Sequence, residues 1–349
     1  MRKHTKLNEH RLFSDKHTKK RPSAAVFVIC ILAAAAVIAL LLFMRTPKEK
    51  KDSLFIRTKV KEDEITQEVS PRQNTINVFN GDDVVQMPLE EYITGVVAAE
   101  MPASYNTEAL KAQAVAARTY TLRKAQRGGC KNASGADICT DSNHCQAYSG
   151  NEKLKERWGD DYQKYMEKIS AATQATAGEI LTYNGEVIEA LFCASAGGMT
   201  ENAENVYSIA QDYLKSVESP DVEGYVFEKI FSKNQICSLV KKELDETLYE
   251  EDIENNFKII SRYPSGRVKE LKINKTCYTG KRIRGVFELS SANFDFVFEG
   301  DEVVFTSVGH GHGIGMSQAG ANVLAKEGMT YDNILLYYYQ GVNLEKIRE

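Results

Sequence analysis

The chain has 349 residues, with 44 lysines and arginines against 48 aspartates and glutamates and a formal net charge of −4. That length holds a membrane anchor and one large domain, or two modest ones. The near-neutral balance excludes a binder of nucleic acid or acidic polymers that works through global charge.

The charge is unevenly spread. Residues 1–22 form a basic tail in which Arg2, Lys3, Lys6, Arg11, Lys16, Lys19, Lys20 and Arg21 face only Glu9 and Asp15. Residues 23–43, SAAVFVICILAAAAVIALLLF, carry no charge and match the roughly 20 residues needed to cross a bilayer. Large residues end the run where a cleavable signal would place small ones. The expectation is a single uncleaved transmembrane helix with a cytoplasmic N-terminus, by the positive-inside rule. Residues 44–74 are polar and lack an apolar period, which predicts an extracytoplasmic tether.

The folded domain is expected over residues 75–349. Thr75–Phe79 and Val84–Met87 read as strands around an Asn80-Gly81 turn. Pro88 suits a helix start, Glu90 and Glu91 fit its first turn, and Ile93, Val96 and Val97 supply an apolar face. Pro102 must end this helix and forces Met101 out of the α region. Asn106 or Thr107 opens a second, alanine-rich helix through Leu110, Ala114, Ala117 and Thr121. Glu100 stands between the two. Partial desolvation and the negative helix end should raise its pKa, as a general acid near neutral pH requires. A surface ion pair with Lys111 or Arg118 is the alternative.

The chain has seven cysteines. Cys139 and Cys145 flank a polar loop, CTDSNHC, whose thiolates and His144 are zinc-type ligands, with Cys130 and His144 as further candidates. A Cys139–Cys145 disulfide is equally compatible with this spacing. Trp158–Ala177 is predicted as a helix, Glu179–Tyr183 as a strand, and Val187–Phe192 as its return across Asn184-Gly185. CASAGGMTEN follows, where small residues around Ser195, Gly197 and Gly198 would let a ligand approach the backbone. No base neighbours Ser195 in sequence, which argues against a serine hydrolase. Residues 220–305 read as a β-rich lobe with strands at Phe257–Ser261, Val268–Ile273, Gly285–Leu289 and Phe294–Phe298; Cys237 and Cys277 are either free thiols or a bridge. GHGHGIGMSQAGA then alternates glycine with His310 and His312 before a helix near Ser317. Tyr331–Gln340 reads as a final core helix in which Tyr337, Tyr338 and Tyr339 could face sugar.

PLEEYITGVVAAEMP, ALKAQAVAARTY, CTDSNHCQAY, SAGGMTEN and GHGHGIGMSQAGA stand in the order in which the stage II sporulation protein D family carries them. The resemblance covers nearly all of residues 75–349. It implies an α+β catalytic domain, mixed helical and β-rich in two lobes, behind one N-terminal transmembrane helix. The implied activity is a membrane-anchored peptidoglycan lytic transglycosylase for septal wall thinning during engulfment of the forespore. Such an enzyme cleaves the β-1,4 bond from N-acetylmuramic acid to N-acetylglucosamine and leaves a 1,6-anhydromuramoyl end. The family's acid is the glutamate of EMP, here Glu100. Resemblance further implies zinc on Cys139 and Cys145, with a structural role. Substrate contacts are expected at His144, Gln146, Ser195, Gly197, Gly198, His312, Ser317 and Gln318. Cys193 and His310 depart from the histidine and tryptophan of many relatives. Implied partners are glycan strands, a peptidoglycan amidase or endopeptidase, a membrane anchor protein of the engulfment complex and the membrane itself, without nucleic acid. A wall-binding scaffold that stimulates an amidase is the alternative, and a zinc hydrolase built on His310, His312 and the cysteines is a weaker third.

Overall fold

A computed structural model describes residues 75–207, 210–220 and 223–347. The basic tail, the apolar run and the tether expected at 1–22, 23–43 and 44–74 lie outside the described residues. Among the described residues no helix is long and apolar enough to cross a membrane.

The domain starts on a hairpin. Strand β1 (Thr75–Phe79) pairs antiparallel with β2 (Val84–Pro88), from Thr75↔Pro88 to Phe79↔Val84. The turn is held by Asn80, whose side-chain oxygen accepts the N–H groups of Asp82 and Asp83, both at 2.9 Å. Helix α1 (Leu89–Glu100) follows with Glu90 and Glu91 in its first turn, and ends where Met101 turns extended at φ −121 and ψ 143. Asn106 caps helix α2 (Thr107–Gln126) by accepting the Glu108 N–H at 2.9 Å. Alanine lets neighbours approach closely, and α2 is buried on nearly every side, packed against α1 and most other helices of its lobe.

Arg118 is the polar anchor of this packing. It is fully buried, grips Glu90 through two nitrogens at 2.8 and 2.6 Å, and donates to the Glu179 carbonyl at 3.0 Å. One guanidinium therefore fixes the start of α1 against α2 and the next sheet.

The helix expected at Trp158–Ala177 runs from Tyr162 to Ala175, and a separate shorter helix precedes it. Helix α3 (Asn151–Trp158) stops at Gly159, whose φ of +49 breaks the helix, and α4 (Tyr162–Ala175) follows one short turn. Strand β4 (Glu179–Tyr183) lies between β5 (Glu186–Val187) and the C-terminal β14 (Asn343–Lys346). The return strand is shorter than the sequence suggested.

Residues 226–308 build a lobe with its own core around Phe257, Phe287, Phe294 and Phe305, separate from the cluster containing Tyr92, Leu110 and Tyr338. It contains β7 (Val226–Ser232), helix α5 (Lys233–Leu244), β8 (Phe257–Arg262), β9 (Val268–Ile273), β10 (Thr276–Thr279), helix α6 (Gly280–Val286), β11 (Phe294–Glu299) and β12 (Glu302–Val308). Two sheets result, in orders β10-β9-β8 and β11-β12-β7. The strand expected at Gly285–Leu289 is instead the end of α6 and the turn after it. Thr279 caps that helix by accepting the Arg282 N–H at 3.2 Å, a local signal stronger than the apolar pattern. Helices α7 (Gln318–Lys326) and α8 (Tyr331–Tyr338) return to the first lobe. Tyr338 and Tyr339 are buried there and are core rather than sugar-facing residues.

Candidate active site and metal centre

Glu100 ends α1 half-buried. Its Oε1 accepts the Ala147 N–H at 2.6 Å, and the Gln318 side chain lies close enough to favour the carboxylate. Desolvation raises the carboxyl pKa, and these two donors offset part of that effect. The suggested ion pairs do not form: Arg118 serves Glu90, and Lys111 holds Glu108 at 2.7 Å. Behind Gln318 stands Gln113, a fully buried amide amid the alanines of α2, whose Oε1 accepts Gln318 Nε2 at 3.2 Å. Lys168 braces the loop after Glu100 by donating to the carbonyls of Ala103 at 2.9 Å and Tyr105 at 2.5 Å. Three separate motifs thus converge on one carboxylate.

Ala147 is delivered by the cysteine loop. The ligand atoms of Cys130, Cys139, His144 and Cys145 all lie within 4.8 Å of one another. His144 Nδ1 is 3.5, 3.4 and 3.3 Å from the three sulfurs in that order. Zinc bonds of about 2.3 Å to sulfur and 2.0–2.1 Å to nitrogen, at tetrahedral angles, require S···N edges of about 3.6 Å. The donor set therefore fits zinc. All six described cysteines are free, so neither the Cys139–Cys145 bridge nor a Cys237–Cys277 bridge is present. Cys139 lies in β3 (Ile138–Cys139), which pairs parallel to β1, so the hairpin and the cluster share a sheet. His144 turns its Nδ1 to the sulfurs, where a substrate contact had been expected of this residue. Gln146 is interior as well: its Nε2 donates to Thr121 Oγ1 at 2.7 Å and Tyr92 Oη at 3.3 Å. Its burial in the core leaves it without a substrate-facing surface.

The two glycine-rich segments pack on each other. Strand β6 (Phe192–Cys193) runs parallel to β13 (Met316–Ser317), and Ser195 exchanges backbone hydrogen bonds with His310 at 3.1 and 2.9 Å. Ser317 Oγ accepts the N–H groups of Ala196 at 3.1 Å and Gly320 at 3.2 Å, so it ties the segments and caps α7. Arg267, buried, reaches from the second lobe to the carbonyls of Met199 at 2.8 Å and Ala196 at 2.7 Å. Gly313 leaves room for it: a Cβ there would sit 2.0 Å from Arg267 Nη2. The glycines expected to bare the backbone for a ligand thus serve close protein packing at this point. Ser195 is buried, whereas Gly197 and Gly198 stay half-exposed beside it. His312 accepts the Ile314 N–H on Nδ1 at 3.0 Å. Burial, then Arg284 and Arg267, push it down to about 4, so it is neutral near pH 7.

Sequence reasoning overlooked Gln113, the Ala147 N–H and Arg267. A lone glutamine in an otherwise apolar helix face was the available signal for the first; the other two act through backbone groups and distant packing.

Residues 80–183 match the SpoIID family, described as stage II sporulation protein. The stage II sporulation protein D of Bacillus subtilis is 41% identical over 266 residues, 75% of this chain and 76% of that protein. The chain belongs to the stage II sporulation protein D family. The stage II sporulation protein D of Bacillus amyloliquefaciens is 37% identical over 286 residues, covering 81% of each chain. An amidase enhancer of Bacillus subtilis is 30% identical over 309 residues, 72% of this chain and 40% of that protein. The family is one of sporulation, and the EMP helix and the cysteine loop both fall inside the matched residues.

Proposed function

We infer that the protein is a peptidoglycan lytic transglycosylase with Glu100 as its single acid/base, acting in sporulation from an N-terminal membrane anchor on the outer side of the membrane. The observation that supports this most is a half-buried carboxylate with a raised pKa and, among the described residues, no carboxylate partner. Glycosidases that use two acids hold them about 5–9.5 Å apart. Glu90 is engaged by Arg118. Glu91 lies nine residues before Glu100 on α1, a rise of about 13 Å. A lone carboxyl suits a reaction in which the substrate supplies the nucleophile. Protonated Glu100 gives its proton to the glycosidic oxygen, and the muramoyl C6 hydroxyl attacks the anomeric carbon. The Glu100 carboxylate then accepts the hydroxyl proton, which closes the anhydro ring and restores the acid.

Cys130, Cys139, His144 and Cys145 would hold zinc. A site closed by four protein donors supplies a structural cross-link, leaving no open position for substrate. The cross-link would fix the loop whose Ala147 N–H reaches Glu100. The resemblance to an amidase enhancer favours a second reading, non-catalytic stimulation of an amidase.

The test is to incubate the full-length chain with peptide-free glycan strands and analyse the products by mass spectrometry. Ends one water lighter than hydrolytic ends are expected, and Glu100→Gln should lose them. Wild-type protein that cleaves nothing yet accelerates an amidase would establish the second reading.

A further inference from the structure

A cavity of about 390 Å³ opens beside the first two turns of α1, walled by α3, α4 and the stretch that carries Tyr148 and Ser149. One wall depends on a glycine. A Cβ at Gly95 would sit 2.3 Å from Tyr148 Cε2, so the missing side chain lets the tyrosine lie against α1. The Tyr148 ring stacks on that of buried Tyr92, with 5.5 Å between centroids and 11° between planes, and stays half-exposed at the cavity wall. Ser149 lines the same cavity and is only 6% exposed. Its N–H donates to the Gly95 carbonyl at 3.2 Å, which fixes the residue, while its hydroxyl has no hydrogen-bond partner among the described residues.

The lining is polar and anionic, and contains no lysine, arginine or histidine. Glu90 at one edge is already gripped by Arg118 through both carboxylate oxygens. Glu91 is exposed at the same rim and pairs with no cation among the described residues. Burial, and then the charge of Glu91, push the Tyr148 hydroxyl pKa up, so the carboxylate acts on the aromatic wall. A helix N-terminus ordinarily attracts anions, but here Glu90 and Glu91 fill the first turn, and an anion would meet two carboxylates and no base. A carboxylate beside an aromatic ring is matched instead to an ammonium group. The hydroxyls of Ser149 and Ser170 and the amide of Asn151 add neutral partners for the hydroxyls of a sugar.

The cavity adjoins the candidate site. Tyr148 and Ser149 directly follow Ala147, whose N–H reaches Glu100, and Gly95 precedes Glu100 by five residues, a rise of about 7.5 Å along α1. We propose that the cavity is a subsite for a de-N-acetylated amino sugar of the glycan strand, with Glu91 pairing the C2 ammonium and Tyr148 against the sugar ring. This rests on the lytic reading above and names a feature of the strand that the enzyme recognises. In an N-acetylated strand that nitrogen is an acetamide, neutral and larger by an acetyl group. Hydrolysis of the acetamide releases acetate and frees the amine, which takes up a proton. The subsite therefore favours strands that a deacetylase-class reaction has modified.

Binding can be measured without cleavage. The full-length Glu100→Gln chain is titrated calorimetrically, at a pH where the amine is protonated, with strands of equal sugar count: a peptide-free N-acetylated strand, the same strand with its glucosamine units de-N-acetylated, and an N-acetylated strand whose stem peptides carry a free side-chain amine. The de-N-acetylated strand should bind about tenfold more tightly than the acetylated one, from one ion pair and one ammonium–aromatic contact. Glu91→Gln, a change at an exposed residue, should erase that preference and leave affinity for the acetylated strand as it was. Tyr148→Leu should reduce the preference, and Glu299→Gln, the same charge change at an exposed position of the second lobe, should keep it. Equal affinities, a preference that survives Glu91→Gln, or one that Glu299→Gln erases as well, overturn the proposal. An equal gain for the stem-bearing strand that Glu91→Gln also erases overturns it too, because the recognised amine is then the stem's. A wild-type chain that shows the preference but never cleaves sinks the transglycosylase reading and leaves the subsite standing; one that cleaves both peptide-free strands and binds them equally does the reverse.

Discussion

Gln318→Met separates tuning of the proposed catalytic carboxyl, Glu100, from simple packing. The Gln318 amide favours the Glu100 carboxylate and donates to Gln113 at 3.2 Å, and methionine keeps the volume without a donor. A hydrogen bond to a charged group is worth about 1.5–3 kcal/mol, and 1.36 kcal/mol corresponds to one pH unit. If Glu100 must start protonated, activity falls as pH rises through its ionisation. Losing a donor to the anion should move that alkaline limb upward by about one pH unit or more. The same substitution strands Gln113, whose Nε2 already lacks a partner and whose side chain is 0% exposed. That should cost about 1–3 kcal/mol, and hence lower Tm by several degrees at about 2–4 °C per kcal/mol. Adding Gln113→Leu removes the stranded amide and should recover most of the Tm while the limb stays displaced. Rates on peptide-free glycan across pH, with Tm from calorimetry, read both effects. An alkaline limb unmoved in an active Gln318→Met enzyme refutes the tuning argument, whatever happens to Tm.

Other expectations follow from the same geometry. One equivalent of zinc should co-purify, measured by elemental analysis, and Cys130→Ser should lower it as much as Cys139→Ser; retention of full zinc by Cys130→Ser would remove Cys130 from the ligand set. Glu100→Gln should lose activity yet gain stability. A carboxyl whose pKa is raised on folding binds more protons folded than unfolded, so wild-type stability declines as pH rises through that window. The gain should therefore appear above the window and vanish in acid, and a pH-independent difference in Tm would contradict it. Arg118→Leu leaves Glu90 and the Glu179 carbonyl without their donor and should cost about 3–5 kcal/mol by urea denaturation. Gly313→Ala should destabilise at least as visibly as a core substitution, because its φ is +79 and the new Cβ would strike Arg267.

The sequence by itself determined the local events of the first lobe. Proline at 88 and 102, asparagine at 106 and the serine at 317 set helix ends through φ restriction and capping, and the structure has those ends. It also marked Glu100 as a carboxylate at a buried helix end, because four apolar residues precede it. Where two local signals competed it was less decisive. Gly285–Leu289 looked like a strand, but the threonine cap at 279 and packing against β9 made the segment a helix end. Tertiary structure alone decided which side chains meet. Cys130 and His144 join Cys139 and Cys145 only because β3 closes onto β1 and folds the loop back on itself. The glycine-histidine segment could have bared its backbone to a ligand; Arg267, from a lobe with a separate core, fills that space instead. Glu100 acquired its two donors in the same way, from residues 47 and 218 positions away in the chain. Capping and turn formation are energies between near neighbours and can be read along a sequence, whereas the surroundings of Glu100 depend on distant segments that only the completed packing brings together.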